Sequence, residues 1–193
     1  YHFTGVASGT ANTGTVDPTP TPTAAGLSFG SFSAVGTPSA PAANGSFCFD
    51  TWDTGATNQN DISFNGLVNP AKYYMVTLTP NANSTITINS IKFNVARSGT
   101  GPRHWVVRGS ADSYSANLSA SIQANPNLSV VATNVFFWSM DTYTLASGKQ
   151  EAGNTVSPGG SYSAQTSPMS FRWYPYDAEG SPGTFRIDTV IFN

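Results

Sequence analysis

Apolar and polar side chains alternate with a period of two along most of this chain, and no stretch keeps the three-to-four spacing of a helix. In KYYMVTL, residues 72–78, Tyr74, Val76 and Leu78 share one face while Tyr73, Met75 and Thr77 share the other. The same reading marks YHFTGVA (1–7), LSFGSFSAV (27–35), SFCFDTW (46–52), HWVVRGS (104–110), LSVVATNVFFW (128–138, broken near Asn134), MSFRWYPY (169–176) and TFRIDTVIFN (184–193) as strands. TPNANS, with Pro80 and its asparagines, reads as a turn that joins the 72–78 strand to TITINSIKFNV in a hairpin. These elements predict an all-β, two-sheet antiparallel sandwich with little helix, one domain over residues 1–193.

One nine-residue pattern occurs twice, as ITINSIKFN (86–94) and FRIDTVIFN (185–193). In the first copy the apolar set falls on Ile86 and Ile88, then on Ile91, Phe93 and Val95, so the phase slips at Asn89-Ser90. In the second, Phe185 and Ile187 are separated from Val190 and Phe192 by the same slip at Asp188-Thr189. A plain strand cannot change phase, whereas one inserted residue, a β-bulge or a sheet-changing bend, returns the apolar set to the core. The expectation is two long strands that each bend, neighbours across the sandwich. Independent convergence of two strands on a short pattern is the competing explanation, and neither makes the repeat catalytic.

Composition narrows the classes. Apolar residues are 39% and aromatics 12%, enough for a packed core, while charged residues are only 9% against about a quarter in ordinary domains. The surface is therefore mostly Ser, Thr, Asn, Gly and Gln. A net charge of −2 with eight Lys and Arg argues against nucleic acid, which is held by clustered cations. No apolar run is long enough for a membrane span. The chain starts at Tyr1 with no Met and no signal peptide and reads as a processed product. The lone Cys48 excludes an internal disulfide and a Cys-based zinc site, and in FCFD it is expected to face a sheet interior. The segments 8–26 and 36–46, rich in Pro, Thr, Ala and Gly, read as extended linkers. The short YHFTGVA before the first of them needs a sheet to join, its own or a neighbouring subunit's.

KYYMVTLTPNANSTITINSIKF, RSGTGPRHWVVRGSADSYSANL (97–118) and FRWYPYDAEGSPGTFRIDTVIF (171–192) resemble a jelly-roll module of secreted and surface proteins of Bacteroidota, one often carried with a type IX secretion sorting domain. The resemblance implies a two-sheet jelly roll with adjacent first and last strands, export to the extracellular space or cell surface, and no catalytic residues. Residues 1–193 hold no such sorting domain, as expected if one is removed after export.

Enzyme motifs are weak. GLSFG (26–30) matches G-x-S-x-G, but that nucleophile motif needs a strand-to-helix elbow, and Leu27 and Phe29 around Ser28 alternate as a strand. Only His2 and His104 could act as histidine bases, neither has a metal spacing, and His104 beside Trp105 reads as structural. Asp177 and Glu179 in YDAEGSPG could mimic a glycosidase pair but read as two solvated acids in a turn. No hydrolase activity is expected. Asp50, Asp53 and Asp188 invite a structural calcium, though the dense acidic loop of a strong calcium site is missing; no other cofactor is implied. Arg97, Arg103 and Arg108 flank SGTGPR, with Arg172 and Arg186 in later strands. They are expected to brace loops by pairing with Asp112, Asp177 and Asp188, with an anion or sulfated-glycan site as the alternative.

Two functional expectations follow. The first is a non-catalytic structural subunit that packs with copies of itself into an extracellular filament or surface layer, with residues 1–26 at the subunit boundary and removable without loss of the fold if their strand is donated in trans. Its basis is the scarcity of charge, with Lys72, Lys92 and Lys149 the only lysines available to guard sheet edges. The second is a carbohydrate-binding, adhesive module in which exposed Trp52, Trp105, Trp138, Trp173 or Tyr176 stack on sugar rings.

Overall fold

A computed structural model describes residues 1–6, 15–37, 45–56, 66–138 and 151–193. Ala7, residues 8–14 of the first linker, residues 38–44 of the second, and Lys149 lie outside the described residues. In chain order the strands are β1 (Thr23–Ala24), β2 (Leu27–Phe29), β3 (Ser33–Val35), β4 (Phe47–Phe49), β5 (Tyr73–Pro80), β6 (Ile91–Arg97), β7 (His104–Gly109), β8 (Ser119–Ile122), β9 (Leu128–Val131), β10 (Val135–Trp138), β11 (Glu151–Ser157), β12 (Met169–Tyr176) and β13 (Phe185–Phe192). One sheet runs β1-β2-β5-β12-β7-β10-β9, with β3 also on β5, and the other runs β4-β13-β6-β11-β8. Their central quartets, β5-β12-β7-β10 and β4-β13-β6-β11, interleave the chain as a jelly roll does, with β4 and β13 side by side.

The repeat resolves into one pair of strands. β6 and β13 are hydrogen-bonded neighbours within the second sheet, not partners across the sandwich, and run from Phe185 opposite Arg97 to Phe192 opposite Ile91. Between Asp188 and Ile191 the register shifts, because β13 holds one more residue than β6 there. This is the bulge that the phase slip demands. Thr189 takes φ 49° while its N–H donates to Asp188 Oδ1 at 2.7 Å, and Val190 returns to the core behind Ile187. The first copy solves the same problem differently. Asn89 and Ser90 both donate to the carbonyl of Asn193, and Asn193 donates back to Ser90. The end of one copy thus clamps the slip point of the other, and β6 starts afresh at Ile91.

Two sequence expectations fail here. β5 and β6 are not a hairpin, because they lie in different sheets and residues 81–90 cross between them, with Ile86 bridging Gln165. β11 was not visible as a strand because two of its buried positions are Glu151 and Asn154, so apolar alternation is absent. The break near Asn134 is a turn between the paired strands β9 and β10, with Thr133 and Asn134 at positive φ.

Inward positions of both sheets are filled by rings. Phe32 packs on Phe47 and Trp173, Tyr74 on Phe47, Phe49 and Trp52, and Trp105 stacks on Phe136. Residues 1–6 form no strand. Tyr1 exchanges backbone hydrogen bonds with Val190 at the bulge, and Phe3, fully buried, packs against Phe32 and Phe47. The first residues of the arm therefore pack into the core of their own chain. Phe3→Ala is expected to lower stability by about 3–5 kcal/mol, measured by urea unfolding; a loss below about 1 kcal/mol would show that the arm does not hold this position.

Candidate functional site

Residues 51–55 after β4, the loops after β6 and β12, and Trp138 at the end of β10 meet at one end of the sandwich, and the protein's charge scarcity ends there. Arg97 closes β6 and its Nη1 donates to the carbonyls of Gly99 at 3.2 Å and Gly101 at 2.9 Å and to Glu179 Oε1 at 3.0 Å. Arg103 is fully buried; its Nε lies 3.9 Å from the same Glu179 oxygen and its Nη2 donates to the Trp138 carbonyl at 3.2 Å. The 98–103 and 177–184 loops meet backbone to backbone, since Glu179 and Gly180 both donate to the Thr100 carbonyl. Gly101 and Gly183 allow this approach: a Cβ on either would fall about 2 Å from a carbonyl oxygen of the facing loop.

His104, the first residue of β7, meets Asp177 with Nδ1···Oδ2 at 2.8 Å, both buried. The rings of Phe137 and Tyr176 lie on His104 at interplanar angles of 26° and 23°. Desolvation inside this stack lowers the His104 pKa below the ordinary imidazole range, against the opposing hydrogen bond from Asp177. Asp177 Oδ1 has no hydrogen-bond partner and is pressed by Gly55 and Gly66, where any Cβ would collide with it.

Arg97, Arg103 and Arg108 do brace loops, but the carboxylate that serves Arg97 and Arg103 is Glu179, not Asp112, Asp177 or Asp188. Asp177 and Glu179 are buried in pairs instead of solvated in a turn, because the backbone contact between the two loops folds both acids inward. Ser28 sits in strand β2 with its hydroxyl on Asn81 Oδ1 at 2.7 Å. The three acids suggested for calcium are not brought together: Asp53 binds Lys72 and Asn69, while Asp188 is turned onto the β13 bulge. Among the described residues no three His, Cys, Asp or Glu side chains gather as metal ligands.

The aromatic expectation is corrected at every named position. Trp52, Trp105, Trp138 and Trp173 are 1% exposed or less and Tyr176 is buried against His104, because each tryptophan has the inward parity of its strand or packs into the core. The aromatic side chains that reach the outside are others. On the outer face of the larger sheet, Arg172 of β12 lies between two tyrosines, its guanidinium carbon 3.7 Å from the ring centre of Tyr114 and 4.1 Å from that of Tyr73. Tyr174, two residues on, packs against Tyr73 at 5.4 Å and under Arg108 at 5.5 Å. Arg108 Nε donates to Asn117 Oδ1 at 2.8 Å and its Nη1 to the Tyr114 carbonyl at 3.2 Å, which ties the 110–117 loop, and with it Tyr114, beside the sheet. Thr77 and Ser170, paired through their hydroxyls at 2.7 Å, continue the same face. Alternation alone places Arg108 and Arg172 outward; that they are neighbours depends on the β7–β12 register, which no local pattern encodes.

No family model, curated protein or solved structure matches this chain.

Glu179 compensates two buried cations, so Glu179→Gln is expected to cost about 3–5 kcal/mol in urea unfolding. A second outcome concerns pH. His104 is held neutral when folded and gains its proton more readily when unfolded, so the unfolded chain binds more protons below about 6.5. Stability should fall as pH drops through that value, and His104→Gln should flatten the dependence; an unchanged slope in the variant would mean another group is responsible.

Proposed function

We propose that this chain is a non-catalytic exported structural subunit that packs with copies of itself into an extracellular filament or surface layer. The observation that carries the reading is the chemistry of the sheet edges. β1 and β9 flank the larger sheet and β8 one side of the smaller, and their sequences TA, LSVV and SASI hold no charged residue; β4, at the other side of the smaller sheet, is buried throughout. Soluble sheets usually guard such edges with charge, Lys above all, because unpaired N–H and C=O groups recruit other strands. β9 presents Val131 to solvent at 38% exposure. A surface of Ser, Thr and Asn also desolvates against a copy of itself at lower cost than a charged one. A contact of this kind that does not close on itself propagates as a filament. Export fits the resemblance of its motifs to Bacteroidota surface modules.

A specific observation favours a second reading, a carbohydrate-binding, adhesive module. The half-buried Tyr73, Tyr114, Arg108 and Arg172 on the outer sheet face combine aromatic surface with fixed donors, the ingredients of saccharide recognition.

Val131→Lys is the test. The unaltered protein should form filaments at high concentration in negative-stain electron microscopy. The variant should keep its melting behaviour within about 0.5 kcal/mol and lose the filaments. Filaments unaffected by the lysine, or an unaltered chain that stays monomeric, would end the assembly reading.

A further inference from the structure

β7 and β12 are paired so that Arg108 and Arg172 stand directly opposite each other on the outer face. Directly opposed like charges destabilise an antiparallel pair, their Cβ atoms being about 5 Å apart. An ordinary sheet relieves this with a carboxylate close by. Here the contacts of Arg108 are Asn117, the Tyr114 carbonyl and the Tyr174 ring. Those of Arg172 are the Tyr73 and Tyr114 rings and the Tyr174 hydroxyl at 3.4 Å. Among the described residues no acid pairs with either, and the buried Arg172 Nε has no hydrogen-bond partner. Asp112, in the adjoining loop, spends its oxygens on Ser115 and Ala116.

We infer that Arg108 and Arg172 form an anion-binding fork for an acidic saccharide, one that carries a carboxylate or a sulfate ester. The inference rests on the carbohydrate-binding reading above. A guanidinium is planar and matches a carboxylate or sulfate edge with two parallel donors. Stacking between Tyr73 and Tyr114 holds the Arg172 plane in place, so little side-chain freedom remains to be lost on binding. The neutral neighbours decide the class of ligand. Thr77, Ser170 and the Tyr174 hydroxyl offer hydrogen bonds that suit sugar hydroxyls. A nucleic acid would need a longer track of cations than two arginines in a chain of net charge −2.

The test is calorimetric titration of the intact protein with polygalacturonate, with a sulfated galactan and with a neutral glucan. The acidic polymers should bind, more weakly as salt rises, and the neutral one should not. Arg172→Gln and Arg108→Gln should each reduce affinity on the order of tenfold or more, whereas Lys92→Gln should not. Arg172→Gln relieves the repulsion and leaves the Arg108 bonds to the 110–117 loop in place, so it should not melt below the parent in the absence of ligand, which separates lost binding from lost folding; Arg108→Gln, which frees that loop, should melt lower. A preference for one acidic polymer identifies the anion as carboxylate or sulfate. Neutral glucan bound as tightly as the acidic polymers, with both glutamine variants unaffected, would overturn the fork and leave carbohydrate binding standing. No binding to any of the three would overturn both.

Discussion

The aromatic layer between the sheets is the constraint from which the other features follow. Tyr1, Phe3, Phe32, Phe47, Phe49, Tyr74, Phe93, Trp105, Phe136 and Trp173 fill it in edge-on and stacked contacts. Such rings carry large buried areas and pack only in certain orientations, so a one-residue slip of any central strand would expel several of them. The bulge at Asp188–Thr189 exists to keep Val190 and Phe192 on this layer after the chain bends. Once the inward parity of β5, β7 and β12 is committed to rings, their outward parity must carry Tyr73, Arg108, Arg172 and Tyr174. The outer-face cluster is thus a consequence of the core as well as a candidate site.

Charge is handled by the same economy. With few charged groups available, the chain places Arg97, Arg103, His104, Asp177 and Glu179 at one end of the sandwich and buries all of them. Burying ions is costly unless each is paired, and here the pairing ties the loop after β6 to the loop after β12. Arg97 also lies 5.8 Å from the ring of Trp138, a member of the aromatic layer, and Arg103 5.4 Å from that of Phe137, which stacks on His104. Its contacts cross-link these loops, Glu179 with Arg97 and Arg103 and Asp177 with His104.

The two functional readings use different surfaces. Assembly would use the edge strands that reach solvent, β1, β8 and β9, which carry no charge. Saccharide binding would use the sheet face, where two guanidiniums stand without a counter-ion among the described residues. A filament of adhesive subunits would accommodate both, since an edge contact through β9 leaves the face over β7 and β12 open.

Strand alternation was legible along the chain, and with it the inward parity of Tyr74, Val76 and Leu78 and the two phase slips, because side-chain direction in a strand is a local property with a period of two. A sandwich with little helix followed from those signals, and the absence of clustered cations or a long apolar run came from composition alone. Strand partners were not legible. That β6 lies beside β13, that β5 and β6 part into different sheets, and that β11 buries Glu151 and Asn154 depend on pairings between residues far apart in sequence. The burial of every tryptophan, the inward turn of Asp177 and Glu179, and the meeting of Arg108 with Arg172 have the same origin. A residue's parity is written in its neighbours along the chain, but what it faces is set by register and loop packing, which only the tertiary structure decides.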